Sequence, residues 1–264
     1  MNHSELRSHR STIDAVTLAW YEHGGELGSP IVCLHGLGAS SLDFAWLATW
    51  PAFRHMRLLL IDAAGHGASD RPDDWPYSIE AHAELIVGLL REIAGTPVAL
   101  VGHSMVCSMA IALAHRHPGL VDRLVLAEPN LDPGTGTLSG HVARQREERF
   151  VTRGYAALVY QTERTAARGD LVAAGFLQSL RLASPMVIHR SAVSLRAERL
   201  PTFHEQLETM TLPRTLLRGK RTPPLAPPLS TTAIQQVVIP GAGHQMMIDN
   251  PDAFATSIRT AIDE

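Results

Sequence analysis

Apolar residues in the first half of the chain fall in short runs separated by turn residues. Ile31–Leu34, Arg57–Asp62, Val98–Val101 and Leu124–Ala127 are short and almost uniformly apolar. Such runs predict strands buried on both faces, as in a parallel sheet. Two segments precede them, Ser8–Ile13 and Val16–His23, and the Asp14-Ala15 turn between them predicts an antiparallel hairpin. Between the buried runs the period becomes helical. Ser78 is placed to cap a helix reaching about Ile93, with Ile79, Ala83, Ile86 and Leu90 on one face. A second helix is expected from Met105 to just before Pro118. Strands alternating with helices predict βαβ units around a parallel sheet.

The pattern changes after Asn130. Residues 137–212 show helical periodicity and no convincing strand, and strands return at Arg214–Arg218 and Gln236–Ile239. Asn250 as cap and Pro251 at the first helical position signal a last helix to about Ala261. The expected organisation is an α/β core over residues 1–131 and 213–264, split by an all-helical cap at 132–212. A ligand site at the carboxyl ends of the strands would lie under that cap.

Composition narrows the class without choosing a function. The 264 residues are 45% hydrophobic and 19% charged, as in ordinary globular proteins. A net charge of −3, from 26 acids and 23 bases, makes no case for nucleic acid or an anionic membrane as partner. Cys33 and Cys107 are too few for a disulfide framework, and no apolar run reaches membrane-spanning length. The expectation is a soluble, cytoplasmic protein. No His, Cys and Asp cluster has metal-ligand spacing, and no dinucleotide or phosphate-loop fingerprint is present, so neither metal nor cofactor is expected.

Three loops at predicted strand ends carry candidate chemistry. Val98–Val101 runs into Gly102-His103-Ser104 and then a helix, the strand–turn–helix context of a nucleophile elbow. Val32–Leu34 runs into His35-Gly36-Leu37-Gly38, where the Leu37 N–H is a candidate oxyanion donor together with that of Met105. Pro240-Gly241-Ala242-Gly243-His244 places a histidine between the last strand and the last helix, as a general base requires.

Together with Asp62–Ser69, these segments resemble the α/β-hydrolase superfamily over nearly the whole chain. The resemblance implies an α/β-hydrolase fold with a mostly parallel sheet flanked by helices, and a triad in the chain order Ser, acid, His. It fits Ser104 as nucleophile and His244 as base. Two departures stand out. The elbow is usually Gly-x-Ser-x-Gly, whereas position 106 is Val, which implies an adjusted elbow and stands where it could narrow the site. The usual Asp after the Arg214–Arg218 strand is missing: Thr222 stands near that place, and no carboxylate occurs from Arg214 to Ala242. Glu128, in Leu126-Ala127-Glu128-Pro129-Asn130, is the substitute, with Pro129 expected to keep it extended at the strand end. Asp132 is the next candidate. Length, the Ser–Glu–His order and a Thr-Pro at the usual Asp position also resemble the zearalenone-lactonase type of hydrolase, a hint toward lactones.

Each candidate has a structural alternative. Ser104 in a degenerate elbow and His244 as a mere helix cap would describe a catalytically silent ligand-binding homologue. His66 and His103 fit structural turns, and Cys107 fits a buried small hydrophobe. The 144–149 charge run fits a solvated face, and Pro223–Pro228 fits a rigid loop near the site. Tyr155, Tyr160, Phe176, Leu177, Leu180, Met186, Val187 and Ile188 are expected to build the cap's own core, some of them lining a pocket above Ser104 that Met246 also faces. The expected function is hydrolysis of a medium-sized, largely apolar ester or lactone, a small-molecule substrate. A C–C hydrolase, lyase or cyclase reaction on the same triad is the alternative chemistry.

Overall fold

A computed structural model describes residues 6–25, 27–131 and 136–263. Eight strands form one sheet: β1 (Arg7–Ile13), β2 (Val16–His23), β3 (Leu27–Leu34), β4 (Met56–Ile61), β5 (Val98–His103), β6 (Val121–Ala127), β7 (Arg214–Gly219) and β8 (Ile234–Ile239). Their order across the sheet is β1-β2-β4-β3-β5-β6-β7-β8. β2 is antiparallel to β1 and β4, and the remaining neighbours are parallel. The hairpin turn has positive φ at both Asp14 (45°) and Ala15 (66°), the mirror-image turn that matches strand twist.

The uniformly apolar strands sort by parity. Val32, Leu34, Leu59, Ile61, Leu100, Leu124 and Leu126 belong to one core cluster, while Ile31, Cys33, Leu58, Leu60, Ala99, Val101 and Val125 belong to the other. Successive side chains point to opposite faces, so a strand covered on both sides needs apolar residues at every position. Helix α1 (Ile79–Ile93) and helix α2 (Met105–Arg116) cover the first face. The 44–53 segment and the C-terminal helix cover the second. Ser78 caps α1, its hydroxyl accepting the Ala81 N–H at 3.0 Å. Met105 to Ala114 are all buried, so α2 is enclosed on every side, as a helix apolar all round must be.

The interval between β6 and β7 is helical among the described residues, its longer helices being α3 (Thr137–Ala143), α4 (Tyr155–Ala166), α5 (Leu171–Leu180), α6 (Pro185–Leu195) and α7 (Phe203–Thr209). A final helix, α8 (Pro251–Asp263), starts at Asn250, whose side chain accepts the Ala253 N–H at 3.2 Å. Among the described residues no single helix is long and apolar enough to cross a membrane.

β3 pairs with β4 on one side and β5 on the other, so the chain reverses direction across the sheet at β3. Loops leaving β3 and β5 therefore part and open a crevice at their carboxyl ends. Buried Asp62 ties that region together. Its carboxylate accepts the Ser41 N–H (2.8 Å) from the loop after β3 and the Ala68 N–H (2.9 Å) from the turn after β4. Gly67, at φ 51°, packs so close that a Cβ would lie 2.1 Å from that carboxylate. Core and helical segment also meet directly, through Ser184 N–H to Gly65 O (3.0 Å) and Ser40 Oγ to Ser179 Oγ (2.8 Å).

Candidate active site

Ser104 lies between β5 and α2 at φ 60°, ψ −125°, a conformation that costs on the order of 1–3 kcal/mol outside glycine. Neighbouring hydrogen bonds impose it: Ser104 N–H donates to Ala127 O (2.8 Å), and Ser104 O accepts the Cys107 N–H (3.0 Å). The turn is so tight that a Cβ on Gly102 would stand 3.3 Å from the Cys107 backbone. Cys107 itself is inert packing. Its buried thiol donates to the Gly102 and Ala127 carbonyls, and burial drives its pKa well up. Val106 does not narrow the site, contrary to the expectation. Its side chain is buried in the core on the α1–α2 side of the sheet and forms no part of the cavity wall.

His244 comes from the loop after β8. That loop is pinned by Gly243 N–H to the Asp249 carboxylate (2.8 Å), by the Arg221–Asp249 ion pair (2.6 Å), and by Asn250 Nδ2–H to Pro240 O (2.8 Å). His244 Nε2 lies 3.0 Å from Ser104 Oγ. With Nε2 accepting the serine proton, Nδ1 carries the ring's hydrogen. Nδ1 faces Glu128 Oε2 at 3.5 Å, an ion-pair separation longer than a hydrogen bond.

Glu128 leaves the end of β6 at φ 53°, not extended as Pro129 led us to expect. Its N–H still donates to Leu217 O (2.9 Å), while its Oε1 accepts the Gly219 N–H at 2.6 Å. Two bonds to β7 thus outweigh the local preference set by the following proline. Thr222 sits in the β7 loop, its N–H donating to Gly219 O (3.0 Å), and supplies no carboxylate. Asp132 lies outside the described residues.

Leu37 and Met105 line the same cavity as Ser104, Met105 as its next neighbour in the chain. A Cβ on Gly36 would lie 3.3 Å from both Ser104 Cβ and His103 Nδ1, so the loop after β3 runs against the elbow. Two buried histidines hold that loop. His35 Nε2 accepts the Ala63 N–H (3.0 Å) and its Nδ1 faces Gly36 O (2.9 Å). His66 Nε2 accepts the Gly38 N–H (3.3 Å) and its Nδ1 faces Ala64 O (3.1 Å). These partners assign a hydrogen to Nδ1 in each ring. Burial pushes both pKa values down, keeping the rings neutral and able to accept.

His103 is the residue whose part the sequence understated. Its Nε2–H donates to the His244 carbonyl at 2.8 Å, and burial, then the neighbouring His244, lowers its pKa to about 3. A neutral ring wedged between elbow and base loop thus fixes the backbone of His244. No local motif signals a contact between residues so far apart in sequence.

Above Ser104 opens a cavity of about 900 Å³. Leu131, Leu138, Leu158, Val172, Phe176, Leu195, Leu216 and Leu225 give it apolar walls, with Ser139, Gln161, Thr162, Asp170, Arg218 and Thr222 among the polar ones. Leu37, Met105, Glu128 and His244 line its floor with Ser104. Of the residues expected to divide between core and pocket, Phe176 lines the cavity, whereas Leu180, Val187 and Ile188 are fully buried in the core. Met246 does not face it; the side chain is buried under α8 on the opposite face of the sheet. Among the described residues no group of three or more His, Cys, Asp or Glu could hold a metal ion.

A family model described as the alpha/beta hydrolase fold matches residues 29–215. The chain belongs to the α/β-hydrolase family. This α/β hydrolase is 27% identical to the sn-1-specific diacylglycerol lipase ABHD11 of Mus musculus, over 86% of this chain and 79% of that one. It is 27% identical to the 2-(acetamidomethylene)succinate hydrolase of Mesorhizobium japonicum, over 97% and 95%. Among solved structures it superposes on the enol-lactonase from Burkholderia xenovorans LB400 with a TM-score of 0.80, at 21% identity and covering 97% of this chain and all of the other. At that identity the superposition speaks for the fold alone.

Proposed function

We propose that this α/β hydrolase is a serine hydrolase that cleaves a medium-sized carboxylic ester or lactone through an acyl-enzyme. The observation that carries the reading is Ser104 Oγ at 3.0 Å from His244 Nε2 on the floor of the 900 Å³ cavity. Ser104 Oγ attacks the carbonyl carbon while His244 Nε2 takes its proton. Glu128 keeps the imidazole in its Nδ1–H tautomer and offsets the positive charge the ring acquires. The Leu37 and Met105 N–H groups receive the oxyanion; one such donor is typically worth ~3 kcal/mol in the transition state.

Collapse expels the alcohol, which takes its proton from His244. In a lactone that alcohol stays attached to the acyl group. Water, deprotonated by His244, then attacks the acyl-enzyme, and Ser104 leaves with the proton restored. The apolar cavity walls suit a hydrophobic substrate body. No step calls for a cofactor.

The test is turnover of a panel of p-nitrophenyl esters and alkyl lactones in isotopically labelled water. The reading expects one labelled oxygen in each acid product and loss of turnover in Ser104→Ala. Product formed without oxygen from water would indicate a lyase or cyclase. Turnover persisting in Ser104→Ala would remove the serine from the mechanism.

A further inference from the structure

Arg218 is the penultimate residue of β7, between the two residues that hold Glu128. Its half-buried side chain forms part of the cavity wall. One nitrogen, Nη1, donates to the Gly219 and Thr222 carbonyls and holds the chain against the wall. Among the described residues no carboxylate pairs with it. The two carboxylates among the described residues of the cavity are engaged elsewhere: Glu128 with Gly219 and His244, and Asp170 at the start of α5, accepting the Ala173 N–H at 2.8 Å. Thr222, whose carbonyl Arg218 holds, offers no charge.

A half-buried guanidinium at a mostly apolar cavity wall is stabilised when an anion meets it. Its planar fork presents parallel N–H groups that match a carboxylate. Arg218 is the only Arg or Lys among the described residues of the cavity wall. We infer that Arg218 is a specificity-determining residue that receives a carboxylate on the substrate while the scissile carbonyl lies at Ser104. This rests on the hydrolase reading and refines its substrate class. The preferred substrates are half-esters of dicarboxylic acids, or lactones bearing a free carboxylate, with an apolar stretch between the two groups.

The test compares p-nitrophenyl half-esters of succinate, glutarate and adipate with neutral p-nitrophenyl alkanoates of equal chain length. The wild type is expected to favour at least one half-ester over its neutral match in kcat/KM. In Arg218→Gln that preference falls by about tenfold or more, equivalent to about 1.4 kcal/mol. Most of the change lies in KM, because the anchor binds ground state and transition state alike. Arg218→Lys keeps the charge without the fork and retains an intermediate preference, which guards against a folding defect in the Gln variant. A wild type that prefers the neutral esters overturns the inference. So does an unchanged ratio in Arg218→Gln with both rates lowered together, since that marks a loop brace only. If the wild type turns over no ester at all, the hydrolase reading fails separately. Calorimetric titration of Ser104→Ala with monomethyl glutarate then decides: binding that Arg218→Gln abolishes upholds the anchor, and absence of binding removes it.

Discussion

Glu128 Oε1 accepts the Gly219 N–H at 2.6 Å, which turns the carboxylate so that Oε2 faces His244. A carboxylate at the end of β6 thereby reaches His244 from a neighbouring strand, with β7 as its anchor rather than its source. Glu128→Gln keeps a carbonyl oxygen for Gly219 and should fold. It should lower kcat by about 10⁴, the cost of a wrong tautomer at the base. Steady-state kinetics alongside a thermal melt check this. A loss under tenfold in a folded variant would move the acid role to Asp132.

His103 gives a second prediction. Replacing it with Leu removes the donor to the His244 carbonyl and should lower kcat by up to about 100-fold, since a misplaced catalytic group can cost that much. His103→Gln, which can still donate from a similar position, should recover much of it. Equal defects in both variants, at equal melting temperature, would deny His103 a positioning role.

Acid sensitivity follows from the buried histidines. Burial and the neighbouring His35 hold His82 at about 3, burial and His244 hold His103 at about 3, and burial lowers His35 and His66. The unfolded chain binds the extra protons from near pH 6.5 downward, so it is favoured as pH falls. Each such ring contributes up to about 1.4 kcal/mol per pH unit. The stabilising effect is whole above about 6.5 and is lost toward 3. Urea midpoints should therefore drop steeply between pH 7 and 5. A flat profile over that range would mean the rings are charged or wet.

Asp43 acts with the opposite sign. Partial burial raises its carboxyl to about 7, partly countered by a hydrogen bond with Ser179 on α5. Here the folded state holds the extra proton between about 4 and 7, so its contribution is lost as pH rises through that window. Asp43→Asn should raise the melting temperature several degrees at pH 8 and little at pH 5. A gain of the same size at both values would contradict the buried, titrating carboxyl.

What the sequence made legible was whatever is written locally. The apolar runs mark β3 to β6 because a strand covered on both faces has no polar positions to lose. Ser104 and His244 stand out because a strand–turn–helix junction and a glycine loop are signatures of adjacent residues. Glu128 emerged only by the absence of acids between Arg214 and Ala242. Its positive φ did not, because two bonds to β7 overrule the proline rule. The facing of Val106 and Met246 was misjudged for a related reason: nearness to Ser104 or His244 along the chain does not say which side of a helix meets the cavity. His103 against the His244 carbonyl, and Arg218 beside Glu128, depend on which strands become neighbours, and no short motif encodes that.

The central claim is that Ser104 is an activated nucleophile coupled to His244 and Glu128. Labelling with a fluorophosphonate, read by intact mass on the wild type, Ser104→Ala and Glu128→Gln, tests it most directly. A single adduct is expected on the wild type, none on Ser104→Ala, and much slower labelling of Glu128→Gln. An adduct that survives Ser104→Ala, or a wild type that stays unlabelled by a probe active on a known esterase, would contradict it.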